Sequence, residues 1–188
     1  MASAENPGAS LASYYQQLQP PTLTGLASSN ILLGGSLELV GTGFKPTENA
    51  VEVWSSDGTQ SVTAINHVSS TDTGTKIRVD IPAAISPGSY RLWVITRTGI
   101  ATAQLPFKLL PKLTNLTPAA ISPSDSLVLT GAGFKPNENA VEFWNSDGTS
   151  LVGAVNHVVS TNNGTQITVK PPADLAPGNY RLWVTHWQ

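Results

Sequence analysis

Residues 41–59 read GTGFKPTENAVEVWSSDGT, and residues 131–149 read GAGFKPNENAVEFWNSDGT. The register between these stretches holds without a gap from Leu23 and Leu113 onward, and 42 of the 74 positions from Leu23 to Thr96 are identical to their partners 90 residues on. A repeat of that period and fidelity describes two domains of about 90 residues each. The chain therefore reads as an N-terminal extension (1–22), a first domain (23–110) and a second domain (111–188). The joint falls near LLPKLTNL, residues 109–116.

Within each copy the apolar residues alternate. SLELVG places Leu37 and Leu39 on one face, and SLVLTG does the same with Leu127 and Leu129. AVEVW and AVEFW follow the same period and run into Asp57-Gly58 and Asp147-Gly148, a dipeptide suited to tight hairpin turns. TKIRVDIP and TQITVKPP form another alternating strand, entered through Gly74 or Gly164. Pro87-Gly88 and Pro177-Gly178 then lead into SYRLWV and NYRLWV. Helical spacing occurs only in LASYYQQLQ, where Leu11, Tyr14, Tyr15 and Leu18 share a face. Short strands punctuated by Pro and Gly predict an all-β fold of two tandem sandwiches.

Composition narrows the function. Hydrophobic residues make up 40% of the 188 and charged residues 12%, which excludes ordinary disorder. The absence of cysteine excludes disulfide frameworks, thiol catalysis and Cys-ligated metals. A net charge of −2 with no basic run argues against a nucleic-acid partner. No run of 18 apolar residues occurs, so no membrane insertion is expected. MASAENPGASLASYYQQLQ carries no secretory signal pattern.

The order L-x-L-x-G-x-G-F, an alternating V-x-V/F strand, a D-G turn, a strand ending in Pro and P-G-x-Y-x-L-x-V resembles the immunoglobulin-like IPT/TIG family. That family occurs in bacterial surface proteins, polysaccharide-acting enzymes, plexins and some transcription factors. The resemblance covers both repeats and implies immunoglobulin-like sandwiches at an extracellular or cell-surface setting. It also implies that Tyr90 and Tyr180 pin a corner at the start of the penultimate strand. It says little about function, since such sandwiches host many unrelated tasks.

Alternation assigns the outer face. If Val51 and Val53 point inward, Glu52 and Trp54 point outward; if Tyr90, Leu92 and Val94 point inward, Arg91 and Trp93 point outward. The resemblance makes these two strands antiparallel neighbours. Each copy then presents an outer face, with Trp54, Trp93, Glu52 and Arg91 in the first and Trp144, Trp183, Glu142 and Arg181 in the second. Trp187 shares the parity of Trp183. Three readings stay open: rings that cover a packed sheet face, an aromatic platform for a polysaccharide, or a protein contact, since Trp and Arg are enriched in interface hot spots. The charged residues read as cross-strand ion pairs, Glu52 with Arg91 and Glu142 with Arg181.

No catalytic, metal or cofactor site is expected. His67 and His157 are repeat equivalents and read as structural, and no G-x-S-x-G motif accompanies them or His186. TDTG and TNNG differ in charge and lack a calcium-loop pattern. Asn115 and Asn163 stand in glycosylation sequons.

The second copy has one more feature. Gln188 aligns with Thr98, so the second copy has no equivalent of the last strand, RTGIATAQLPFKLL in the first. The expectation is a sandwich short of that strand, with an open slot beside residues 179–187. A chain boundary or a tolerated loss accounts for it. So does strand addition in self-assembly, with residues 1–22 as donor, or a strand from a different protein. The sequence thus favours a non-enzymatic structural or adhesive module, with a carbohydrate-binding accessory module or a particle decoration protein as alternatives.

Overall fold

The computed structural model describes residues 19–101, 103–122 and 124–186. The candidate helix at 11–18, the bulk of the proposed donor segment, and Trp187 lie outside the described residues. Among those described the fold is all-β. The described residues pack as two compact units, one of those up to Pro82 with Ser89–Lys108, the other of Ala83–Gly88 with those from Leu109 to His186.

The first repeat supplies β1 (Thr22–Leu26), β2 (Asn30–Leu32), β3 (Ser36–Thr42), β4 (Asn49–Ser55), β5 (Ser61–Val68), β6 (Ser70–Thr71), β7 (Lys76–Asp80), β8 (Gly88–Thr96), β9 (Gly99–Ile100) and β10 (Leu105–Leu110). They form two sheets, ordered β1-β3-β7-β6 and β2-β10-β8-β4-β5, with β9 paired to β8. The alternating residues set the layers. Leu37, Leu39, Ile77 and Val79 are buried from one sheet; Val51, Val53, Leu92, Val94 and Phe107 are buried from the other. Tyr90 stacks on Phe107 with ring centroids 5.7 Å apart.

The second repeat supplies β11 (Lys112–Thr117), β12 (Leu127–Ala132), β13 (Asn139–Asn145), β14 (Leu151–Val158), β15 (Ser160–Thr161), β16 (Gln166–Val169) and β17 (Tyr180–His186). Their sheets are ordered β11-β12-β16-β15 and β14-β13-β17. The core is Leu127, Leu129, Phe134, Val141, Phe143, Ile167, Val169 and Val184. Tyr180 donates its hydroxyl hydrogen to the carbonyl of Ala176, four residues upstream, the corner contact that the resemblance implies.

Three local devices recur in both copies. The segments Thr71–Gly74 and Thr161–Gly164 are hairpin turns closed by Gly74 N–H to Thr71 O and Gly164 N–H to Thr161 O. Their central residues, Asp72 and Thr73 or Asn162 and Asn163, lie at positive φ of 51° to 56°, as a primed turn demands. At Gly74 and Gly164 a Cβ would stand 2.6 or 2.5 Å from the carbonyl oxygen of Phe44 or Phe134, so only glycine fits. His67 and His157, at φ of 57° and 55°, sit where two residues of β5 or β14 oppose one of β4 or β13. They are bulge residues in the left-handed region.

The third device is a buried amide that the sequence reading overlooked. Asn49 is 1% exposed and stands first in the inward row Asn49, Val51, Val53. Its Oδ1 accepts from the backbone N–H of Lys45 at 2.8 Å. Its Nδ2 donates to the carbonyls of Lys45 at 2.6 Å and Val68 at 2.7 Å. Asn139 makes the same three bonds to Lys135 and Val158 at 2.8, 2.6 and 2.8 Å. Each amide clamps the FKP loop to the start of one strand and the end of the next.

His186 closes β17 against the loop before β13, its Nε2–H donating to Gly133 O at 3.0 Å. Burial disfavours the imidazolium and holds the pKa below the ordinary histidine value, outweighing the upward pull of the Gly133 bond.

Two outcomes follow. Asn49→Ala strands three backbone groups and should cost roughly 2–4 kcal/mol by chemical denaturation, with Asn49→Asp no better because a carboxylate would face two carbonyls. For His186 the unfolded chain takes up the proton first, so its contribution is complete above about pH 6.5 and is lost as pH falls through the lower folded value. Thermal melts from pH 7.5 to 5 should show the second unit losing stability, and His186→Gln should flatten that dependence.

Candidate functional site

The outer face of the β4–β8 pair holds the aromatic residues. β4 lies antiparallel to β8 with Glu52 opposite Trp93 and Trp54 opposite Arg91. Since i and i+2 project from the same side of a strand, Glu52 and Trp54 are neighbours on that face. The Trp54 indole N–H donates to Glu52 Oε2 at 2.9 Å. Trp54 and Trp93 meet edge to face, centroids 4.8 Å apart and planes at 67°. Both rings are partly buried. They make a compact aromatic cluster, not a flat platform.

The second unit repeats the motif. Glu142 stands opposite Trp183 and Trp144 opposite Arg181. The Trp144 N–H donates to Glu142 Oε2 at 2.9 Å, and the other oxygen accepts from the Thr185 hydroxyl at 3.2 Å. Trp183 differs from Trp93: it is 45% exposed, and it is the large aromatic side chain left open on this face.

The expected ion pairs do not form. Among the described residues the three salt bridges are Lys76–Asp72, Arg97–Glu48 and Lys135–Glu138. Register is the reason: each glutamate faces a tryptophan, and each arginine sits diagonally from it, at the turn end of the face. Arg91 instead donates from Nε to Ser56 O at 2.7 Å and from Nη1 to Gln104 Oε1 at 3.3 Å. In that turn, hydrogen bonds from the Ser55 hydroxyl and from the Thr59 N–H and hydroxyl hold the exposed Asp57 carboxyl down to about 2. Asp147 is lowered likewise, first by the Thr149 hydroxyl, with a smaller contribution from Arg181.

The arrangement offers indole faces, a carboxylate and a guanidinium, but no paired acid and base and no nucleophile beside a base. Among the described residues no group of three His, Asp or Glu has the spacing to hold a metal ion. Among the described residues no helix is long and apolar enough to cross a membrane. His67 and His157, as bulge residues, are exposed.

No protein-family model matches the chain, and no curated protein sequence does. Similar solved structures include SGBP-B from a complex xyloglucan utilization locus in Bacteroides uniformis, 18% identical with a TM-score of 0.36, over 88% of this chain and 46% of that one. A second is SGBP-B of the Bacteroides ovatus mixed-linkage glucan utilization locus in complex with a mixed-linkage heptasaccharide, 17% identical, TM-score 0.34, over 86% and 39%. The full extracellular region of plexin A4 is 14% identical, TM-score 0.34, over 84% and 13%. The chain spans less than half the length of each of these structures. Likeness at this level concerns the all-β architecture alone.

Proposed function

We propose that the chain is a non-catalytic, carbohydrate-binding module of immunoglobulin-like sandwiches, of the IPT/TIG kind and acting at a cell surface. The observation that carries this reading is Trp183, 45% exposed on a sheet face beside an indole held in place by Glu142. An open indole offers a flat apolar surface to the C–H groups of a sugar ring. Arg181 and the Glu142 carboxylate, a strand apart, supply a donor and an acceptor for hydroxyls. Locking the Trp144 ring in advance lowers the entropy lost on binding.

A second reading, a structural or adhesive protein contact, is favoured by apolar residues elsewhere on the second unit. Leu151, Val152 and Val159 are 51%, 52% and 60% exposed, where the first repeat has Ser61, Val62 and Ser69.

Affinity electrophoresis through gels of xyloglucan, mixed-linkage glucan, cellulose derivatives and chitin derivatives separates the two. The proposal expects retardation of the wild-type chain in at least one gel, lost in Trp183→Ala and weakened about three- to tenfold in Glu142→Ala, which frees the Trp144 ring. Unretarded wild type in every gel overturns it.

A further inference from the structure

The strand that follows the Asp-Gly hairpin is an edge in both units. β5 ends the order β2-β10-β8-β4-β5, and β14 ends the order β14-β13-β17. Among the described residues each pairs with one neighbour and leaves a row of backbone donors and acceptors on its other side. Native edges of this kind are kept single by charged side chains, prolines or bulges.

β14 has the bulges alone. They lie around Val152 and around Asn156-His157, and leave Gly153, Ala154 and Val155 as the regular stretch between. Three residues are too few to hold a second chain by backbone bonds, so the ends of the strand decide. In the first unit those ends are Ser61 and Ser69; in the second they are Leu151 and Val159. With Val152, all more than half exposed, they supply three of the seven exposed large apolar side chains among the described residues. Apolar residues at both ends suit an antiparallel partner that is the same strand, because a two-fold axis brings the start of one copy against the end of the other.

Charge points the same way. From Gly58 to Val79 the first copy has Asp72, Lys76 and Arg78, and Asp72 pairs with Lys76 at 3.1 Å. From Gly148 to Val169 the second copy has no Asp, Glu, Lys or Arg; Asn162, Gln166 and Thr168 stand in their places. Like charges placed opposite each other oppose pairing, and a neutral strand meets its own copy without that cost.

We infer that β14 is a self-association edge, along which two copies of the chain pair antiparallel about a two-fold axis at Val155. Leu151 and Val152 of one copy then lie against Val159 of the other. Such a contact closes at two copies. It joins two three-stranded sheets into one of six strands. An axis normal to the sheet keeps both outer faces on one side, so the two Trp183 side chains point the same way from strands about 24 Å apart. The pairing itself does not rest on the carbohydrate reading.

The test uses the whole 188-residue chain without ligand. Sedimentation equilibrium from micromolar to millimolar concentration should show a reversible monomer-dimer equilibrium. Restoring the first-copy residues, Leu151→Ser with Val159→Ser, should weaken the dimer about tenfold or more. Both side chains are exposed, so circular dichroism should show the fold unchanged. Because the chain has no cysteine, Ala154→Cys reads the register directly. It lies beside the axis and should form an intermolecular disulfide under a mild oxidant, whereas Ala64→Cys, at the same place in the first unit, should not. A chain that stays monomeric at millimolar concentration, or grows without limit, overturns the proposal. So does a dimer that the double substitution leaves unchanged, or one in which Ala64→Cys cross-links as readily as Ala154→Cys.

Discussion

Each unit depends on a side-chain amide placed where a hydrophobic residue would ordinarily stand. Asn49 and Asn139 occupy inward positions at the head of a core strand, and each bonds three backbone groups of the FKP loop and the neighbouring strand end. Burying a polar group is tolerable only when it is fully bonded. Among the described residues no buried side-chain nitrogen or oxygen lacks a partner. The amide thereby fixes where the FKP loop ends and β4 or β13 begins. That starting point sets the parity of every residue after it, including which face Glu52 and Trp54 share.

The aromatic face is a consequence of this parity combined with cross-strand register. Alternation brings Glu and Trp together along one strand; pairing with β8 or β17 adds the second tryptophan opposite the glutamate. The carboxylate is then taken by an indole N–H instead of a guanidinium, and the arginine turns to the hairpin carbonyl. The same residues thus form a partly closed cluster in the first unit and leave Trp183 open in the second. The difference is in the neighbours and not in the motif.

Much of the fold was legible because its signal is local. Leu37 and Leu39, Val51 and Val53, Ile77 and Val79, and Leu92 and Val94 all point inward as their spacing says. The repeat made each reading testable against its copy. The Glu–Arg pairs were misread because the offset between β4 and β8 is not written in either strand; two residues of register, which leave every side chain on its own face, decide whether Glu52 meets Arg91 or Trp93. Asn49 was passed over because an asparagine at a strand start resembles loop chemistry, although its inward parity and its recurrence at Asn139 were the available signal. The unequal exposure of Trp93 and Trp183 could not be read from YRLWV, which is the same in both.

That shared segment has a consequence for how the chain reaches its native state. β4 and β13, NAVEVWS and NAVEFWN, differ at two of seven positions, and both seek a partner reading YRLWV. Chains with near-identical tandem domains are prone to exchanging strands between them during folding. Only one inward residue distinguishes the two, Val53 against Phe143, so side-chain volume in the core is the proofreading device. A phenylalanine in place of Val53 adds volume to the packed first core, and a valine in place of Phe143 leaves a void in the second. Synthesis from the N-terminus adds a temporal safeguard, since the first unit can pair β4 with β8 before β13 has been made.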